Sequence, residues 1–532
     1  MAYSEYMNGW LSPRIFSPKV VGVFLLLFIL PLLVILSADK VADPDALYHI
    51  RHAWVYRTQS LTDSAFPWVQ FSVIKTAGAD LWYGFHILLT PFTYGNNLGL
   101  NIKIAGGIFA GLMLFSFYHF LRRQTIKWPL VWTLILYVSS ADFFLRNNSS
   151  RPQTLSLALL SLLMLIFSLP EKSKNKWLHL LVISAVGFAA TWIHAAFFWI
   201  FLLLGLIYAA SSFVVKKRLP FAEIGALIFG NAVGIALRPN PLAAANLLYT
   251  QLFRLAVEKQ RVSLLLGQDI LPLDFVSFLR QLIPFAVLIL VAFFLAWKLR
   301  KKSDSKLSDN KKILQYTSLV MLVIFSLLAL TTARRASDIA IFYGIILAAL
   351  VMEKALEYFR RPRLFLGVLL AFLLITATRH IYTLREHLRS FSAVPVNRFQ
   401  EVALWLKANT VPRTIVFHPV WDSFPSLFFW NQNNYYINGM DPIFTYALNQ
   451  ELYWQQHNIA IGGKMYACKT PPPCDPIKSV DIIQIIQKDF HSNYIALDLV
   501  RNSGLARNLI VDPRARLMVR GADTALFKIG GE

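Results

Sequence analysis

The sequence predicts an α-helical polytopic membrane protein of about eleven transmembrane helices, followed by a C-terminal extracytoplasmic α/β domain. Three observations lead there. The chain is 56% hydrophobic and only 15% charged, with a mean hydropathy of +0.50, more apolar surface than a water-soluble fold can hide. Its basic residues gather in every second connection between apolar runs. After about Arg379 the hydropathy drops, and the remainder is long enough for a soluble domain.

Apolar runs of spanning or near-spanning length occur near Val20–Ser37, Lys103–Leu121, Trp128–Leu145, Pro152–Leu169, Leu178–Ile193 and Ala195–Val215. Others follow near Phe221–Leu237, Leu282–Leu295, Ile313–Thr332, Ile339–Met352 and Leu364–Thr378. The first run lacks a small-residue cleavage site and reads as an uncleaved signal anchor. The implied organisation is a transmembrane domain over 1–380, with long outer loops at 39–101 and 238–281, and an α/β domain over 381–532.

The basic groups fix an orientation. Arg122-Arg123-Lys127, Lys172-Lys174-Lys176, Lys216-Lys217-Arg218, Lys298-Arg300-Lys301-Lys302 and Arg360-Arg361-Arg363 all fall on one side. The positive-inside rule makes that side cytoplasmic, together with the N-terminus. An odd number of helices then puts the C-terminal domain outside, in a multi-pass plasma (inner) membrane protein. The net charge of +23 has the same explanation: most of it lies between apolar helices, where it meets membrane lipids rather than nucleic acid.

The outer connections hold the chemistry-bearing residues. Directly after the first apolar run come Asp39, Asp43, Asp45, Tyr48, His49, Arg51, His52 and Trp54. If the stretch from Asp45 is helical, Asp45, His49 and His52 share one face. Carboxylate plus imidazole is ligand chemistry for a divalent metal, Mg2+ or Mn2+, with Asp45, Asp43 and His49 as the ligands. The alternative is a solvated interfacial helix whose polar side chains face headgroups. Downstream, Leu81–Leu89 reads as an amphipathic segment.

Arg146 and Arg151 flank the start of the run at Pro152, where a helix N-terminus and guanidinium groups suit an anion, or simply a lipid phosphate. His194 emerges on the same side as Asp43 and Asp45, either as an interfacial residue or as a contributor to that anion site. Arg334 and Arg335 are adjacent arginines in an outer loop, which the positive-inside rule disfavours, so they call for a partner. A phosphate or pyrophosphate suits them, and a pairing with Asp338 is the alternative.

In the C-terminal segment, Phe399–Asn409 and Ser479–Phe490 have helical spacing, whereas Thr414–His418, Asn493–Val500 and Arg516–Ile529 read as strands. Trp421 and Asp422 follow the first of these strands, where a sugar or peptide acceptor can bind. Equally, Trp421 can pack on the membrane domain while Asp422 caps the next helix. Glu258, in the second long outer loop, is a further acceptor-side candidate. Cys468 and Cys474 are the only cysteines, and an oxidising compartment would join them. The chain has no P-loop, GxSxG, glycine-rich dinucleotide loop or HExxH motif.

The layout resembles the GT-C glycosyltransferases, specifically the oligosaccharyltransferase catalytic subunit and its prokaryotic relatives. Asp43-Pro-Asp45-Ala-Leu-Tyr48-His49-Ile-Arg51 is similar to that family's Asp-Pro-x-x-Tyr-His-x-Arg form after the first helix. Val420-Trp421-Asp422-Ser423-Phe424 keeps only the central Trp-Asp of its Trp-Trp-Asp-Tyr-Gly motif. Arg151-Pro152-Gln153 stands where its second acidic motif is expected. The resemblance implies a metal at Asp45 or Asp43 and a donor contact at Arg334 or Arg335.

The function this implies is transfer of a sugar from a polyprenyl-(pyro)phosphate donor to an acceptor glycan, lipid or protein on the outer face. Asp45, Asp43 and Asp80 are the catalytic carboxylates, as metal ligands or as general base. The donor phosphate falls to Arg334, Arg335, Arg146, Arg151 and His194. Two rivals are a transporter or flippase of a lipid-linked intermediate and a noncatalytic assembly protein. The first predicts internal repeats, of which none is clear, and the second leaves the clustered acids unexplained.

Overall fold

The computed structural model describes residues 18–169, 175–299, 308–356, 362–389 and 394–530. Within them the chain forms two compact units. Of the described residues, one comprises those within 18–38, 103–236 and 268–389, and the other those within 39–102, 237–267 and 394–530. The first long outer connection and residues 238–267 of the second therefore group with the C-terminal segment, whereas 268–281 group with the helical unit. Lys172, Lys174, Arg300, Lys301, Lys302, Arg360 and Arg361 lie outside the described residues.

The first unit is helical. Seven helices among the described residues are long and apolar enough to cross a membrane: Pro18–Leu36, Leu98–Arg123, Lys176–Ile193, Ala195–Lys216, Asp309–Thr331, Ala336–Glu353 and Arg363–Arg389. The number rises to nine if two broken pairs each count as one span, short of the eleven expected. The difference has local causes. The run at Trp128–Leu145 divides into Pro129–Tyr137 and Ala141–Asn147, because the Ser140 hydroxyl accepts the Phe143 N–H and starts a new helix. Ala141–Asn147 and Pro152–Phe167 then meet at 102°. Arg151 sits extended between them, as the residue before a proline must.

Helix Ala336–Glu353, apolar between Asp338 in its first turn and Glu353 at its end, is almost wholly buried, the centre of a core with Phe117, Trp132, Phe143, Leu160, Phe201 and Phe325. Small residues let neighbouring backbones approach. A Cβ at Gly107 or Gly111 would strike Leu32 or Phe28, and one at Gly230 or Gly234 would strike the carbonyls of Ser184 or Phe188. Both are glycine pairs four residues apart, the spacing that replaces hydrophobic drive in a lipid solvent.

The second unit carries a five-stranded sheet. Its strands are β1 (Ile415–Phe417), β2 (Tyr435–Tyr436), β3 (Tyr494–Asp498), β4 (Ala515–Arg520) and β5 (Thr524–Ile529). Their order is β2-β1-β3-β5-β4, with β1 parallel to both β2 and β3 and the remaining pairs antiparallel. The expected strand at Arg516–Ile529 is thus a hairpin, turned over 521–523. Helices Gln400–Asn409, Ile482–Lys488 and Ser503–Val511 belong to the same unit, and Phe417, Ile459, Ile486, Phe490, Ile495 and Phe527 fill its core. Cys468 and Cys474 are joined, as expected.

The first outer connection is woven into this unit. Lys40–Val41 pairs with Val394–Pro395, and Val69 bridges to Tyr436 on β2. The Tyr436 N–H donates to Trp68 O at 2.7 Å and the Gln70 N–H donates to Tyr436 O at 2.8 Å. A segment distant in sequence is thereby held by sheet hydrogen bonds, a rigid mount for the residues it carries.

Candidate functional site

In the second unit, helix Asp45–Thr58 forms where the sequence predicts one. Its start is set by Asp43, whose carboxylate accepts the Asp45 N–H at 2.9 Å. A carboxylate there suits the unpaired amides and positive dipole end of the first turn. One face of the helix then presents Tyr48, His49, His52 and Tyr56 to the interior, all buried. The second contributor is the stretch from Asp80 through helix Tyr83–Leu89, which delivers His86, fully buried.

These side chains form one hydrogen-bonded group. His86 Nδ1 lies 2.6 Å from Asp80 Oδ2, and His86 Nε2 lies 2.8 Å from His49 Nδ1. The Tyr56 hydroxyl donates to Asp80 Oδ2 at 3.1 Å, and the Trp82 N–H donates to Asp80 Oδ1 at 2.8 Å. Tyr48 and His52 share a 2.8 Å bond through His52 Nδ1. Arg238 reaches the backbone carbonyl of Asp80 at 2.7 Å.

Burial pushes the His52 imidazole down to about 3, with His86 adding to the shift and Asp80 opposing it, so His52 is neutral near pH 7. Burial alone would raise Asp80, but the neighbouring histidines and the amide of Trp82 hold it below the ordinary carboxylate range. A buried carboxylate thus stays charged beside a neutral imidazole. Donor atoms of His52, Asp80 and His86 all lie within 4.8 Å of one another, close enough to hold a metal ion.

The expected metal ligands take different places. Asp43 and Asp45 stand half-buried at the head of the helix, outside this close group, and His49 touches it through His86. Asp80 is at its centre. His86 carried no sequence signal beyond its place in the amphipathic stretch, since no spacing rule links it to residues 34 to 37 positions upstream.

The first unit holds a second polar network. Arg146 donates from Nε and Nη2 to the two oxygens of Asp338, at 2.7 and 2.6 Å, and Gln153 also donates to Asp338. The sequence alternative of Asp338 as partner to Arg334 or Arg335 is therefore corrected: Arg146 occupies both of its oxygens. Arg334 instead lies 3.3 Å from Asp142, and Arg335 and Arg151 lie 2.9 and 3.1 Å from Asp269. Burial would raise Asp269, but those two guanidinium groups hold it well below the usual carboxylate range. Arg146 is buried, whereas Arg151, Arg334 and Arg335 remain partly open. His194 is buried, stacked on Phe197 and 3.4 Å from the Ser156 hydroxyl.

The acceptor-side candidates fall in the second unit. The Trp421 indole donates to Leu265 O at 2.8 Å, and Asp422 pairs with Arg501. The reading of Asp422 as a cap is corrected: helix Phe424–Trp430 has Ser423 at its N-cap and no side-chain cap bond. Glu258 is half-buried in helix Leu255–Arg261, and the Tyr446 hydroxyl is raised by burial with Glu258 adding to the shift.

No family model and no curated protein matches this sequence. Solved structures do. ArnT from Cupriavidus metallidurans, bound to undecaprenyl phosphate, matches with a TM-score of 0.56 at 10% identity, covering 98% of both chains. Its apo state matches equally, with a TM-score of 0.56 at 10% identity, over 96% of this chain and 97% of the other. The Archaeoglobus fulgidus oligosaccharyltransferase, in complex with Zn and sulfate, matches at 12% identity with a TM-score of 0.47, over 89% of this chain and 68% of its own. The ArnT likeness shows the fold alone: the chain shares the ArnT fold over nearly its whole length.

Proposed function

We propose that the protein is an integral membrane glycosyltransferase that moves a sugar or glycan from a polyprenyl-(pyro)phosphate donor to an acceptor on the extracytoplasmic face. The observation that carries this reading is the end-to-end fold likeness to ArnT crystallised with undecaprenyl phosphate. The reaction breaks the bond from the anomeric carbon to a phosphate oxygen and forms one to the acceptor, whose proton passes to a base. Negative charge therefore grows on the lipid phosphate, and positioned cations lower the barrier as it grows.

Arg334, Arg335 and Arg151 suit that phosphate role, being partly open and paired with carboxylates that an anion can replace. Asp45, Asp43 and Asp80 are the carboxylates for base or metal work, and a divalent metal would add Lewis-acid stabilisation. Trp421, Asp422 and Glu258 remain the acceptor-side candidates. The N-terminus is assigned to the cytoplasm and the C-terminal domain to the outside of the inner membrane, from the basic connections.

The test is reconstitution in liposomes with a labelled undecaprenyl-phosphate-linked sugar and isolated envelope acceptors. The expected result is transfer of label with release of the lipid phosphate, lost when Asp45 is replaced by Asn. Movement of intact donor across the bilayer without bond cleavage would identify a flippase instead.

A further inference from the structure

We infer that His52, Asp80 and His86 form a binding site for a zinc-class divalent transition metal, chemically unlike the oxygen-ligand magnesium or manganese site that Asp43 and Asp45 suggest. The donor set carries the argument. Two imidazole nitrogens and one carboxylate oxygen, all within 4.8 Å of one another, match the three-protein-ligand sites of zinc and its neighbours. Magnesium demands an octahedron of oxygens and keeps most of its waters, which two buried imidazoles do not supply.

The surroundings fit a metal site as well as the ligands do. A ligating histidine needs a partner on its other nitrogen to fix tautomer and ring angle. His52 has one in the Tyr48 hydroxyl, bonded to Nδ1 at 2.8 Å, which directs Nε2 as the ligand atom. His86 has one in His49, 2.8 Å from Nε2, which leaves Nδ1 on the Asp80 side. Ligation through His86 Nδ1 moves its proton to Nε2, and His49 in turn carries its own on Nε2. Both rings stay neutral and no net proton is taken up. Asp80 must turn to open its 2.6 Å contact with His86, from a position in which the Tyr56 hydroxyl donates to the same oxygen and the Trp82 N–H to the other. A small cavity of about 10 Å³ touches Tyr48, His52, Asp80 and Trp82 between otherwise apolar walls, about the space of one water, the usual fourth ligand. Arg238 is a nearby cation, and its Nη1 donates to the Asp80 carbonyl.

The rival is a metal-free chain of hydrogen bonds through Tyr56, Asp80, His86 and His49. Metal content separates the two directly and independently of the transfer reaction proposed above. The full-length protein, purified in detergent, is stripped with a chelator, reloaded with Zn2+ or Co2+ and dialysed, then analysed by elemental mass spectrometry and visible absorption. About one metal per chain and the intense bands of four-coordinate Co2+ are expected. His52→Gln and Asp80→Asn should each abolish retention, and Asp39→Asn should preserve it. Tyr48→Phe, which keeps every ligand, should weaken binding roughly 10- to 100-fold. Wild-type protein that retains no more metal than a buffer blank overturns the site. So does unchanged retention in both ligand variants, or loss of the ion in Asp39→Asn. If the ligand variants fail to fold, unchanged affinity in a folded Tyr48→Phe overturns it too.

Discussion

Arg146 grips Asp338 through both oxygens of its carboxylate, at 2.7 and 2.6 Å, although the two residues stand 192 positions apart in sequence. Both side chains are buried, at 9% and 1% exposure. That geometry changes the meaning of an arginine that the sequence offers as a phosphate ligand. A guanidinium already paired bidentately in a low-dielectric core is expensive to release.

Arg146→Ala should therefore act first on stability. Removing one partner of a buried ion pair leaves an uncompensated charge and costs about 3–5 kcal/mol. Thermal unfolding of the detergent-solubilised variant should begin well below wild type, and Arg146→Lys should rescue it only in part, because an ammonium cannot make the fork. A variant as stable as wild type but deficient in lipid-phosphate binding would return Arg146 to the donor site.

Arg334 and Arg335 are placed for the opposite behaviour. Each is partly open and leans on a carboxylate, Asp142 or Asp269, rather than being enclosed. Partly exposed pairs contribute about 0–1 kcal/mol, so Arg335→Ala and Arg334→Ala should unfold near the wild-type temperature. Their affinity for undecaprenyl phosphate, followed by native mass spectrometry in detergent, should fall about tenfold or more. Unchanged affinity in both would make them partners of Asp142 and Asp269 only.

Much of the fold was legible because its signals are local. Membrane-length apolar runs, the helix from Asp45, the strand at Thr414–His418 and the two cysteines each announce themselves within a short window of sequence. The number of spans was less so, because Ser140 breaks the apolar run at Trp128–Leu145 that hydropathy alone counts as continuous. The site was half legible. Asp45, Asp80, His49, Arg334 and Arg335 stand out as charge beside hydrocarbon, but their partners are set by tertiary packing. No pattern in the chain couples His86 to His49, or Arg146 to Asp338.

His418 gives a pH-dependent prediction outside the membrane helices. It is fully buried, and burial pushes its imidazole down to about 4, against bonds to backbone groups that favour the charged form. The unfolded chain titrates near 6.5, so between about 6.5 and 4 it takes up a proton that the folded state refuses. Stability is thus complete above about 6.5, falls as pH drops through this window and levels off below about 4. The loss attributable to this residue is on the order of 3 kcal/mol. Unfolding temperatures recorded from pH 7 to 4 should drop less steeply for His418→Gln than for wild type. Parallel curves would remove His418 as a cause.

The orientation can be read with a reporter that fluoresces only in the cytoplasm, fused after Glu532. Five basic connections on one side of the sequence argue for a dark fusion. A bright one would reverse the assignment of the outer face, and with it the compartment in which the donor must be presented.

Asp45 decides whether the acidic mouth of the first helix is chemistry or helix architecture. It stands in the first turn of helix Asp45–Thr58, with its N–H held by Asp43, where any carboxylate gains from the helix dipole. If that were its whole role, Asp45→Asn would cost about 0.3–1 kcal/mol of stability and leave turnover nearly intact. As a base or electrostatic partner in transfer, the same change should lower turnover by about 10²–10³-fold with folding preserved. Asp39→Asn, at the end of the preceding connection, should keep most activity and serves as the control for nearby charge removal. Turnover measured beside unfolding temperature for Asp45→Asn, Asp43→Asn and Asp39→Asn separates the two roles. Wild-type rates in both Asp45→Asn and Asp43→Asn would make the acids caps of the helix, and the transfer mechanism built on them would fail.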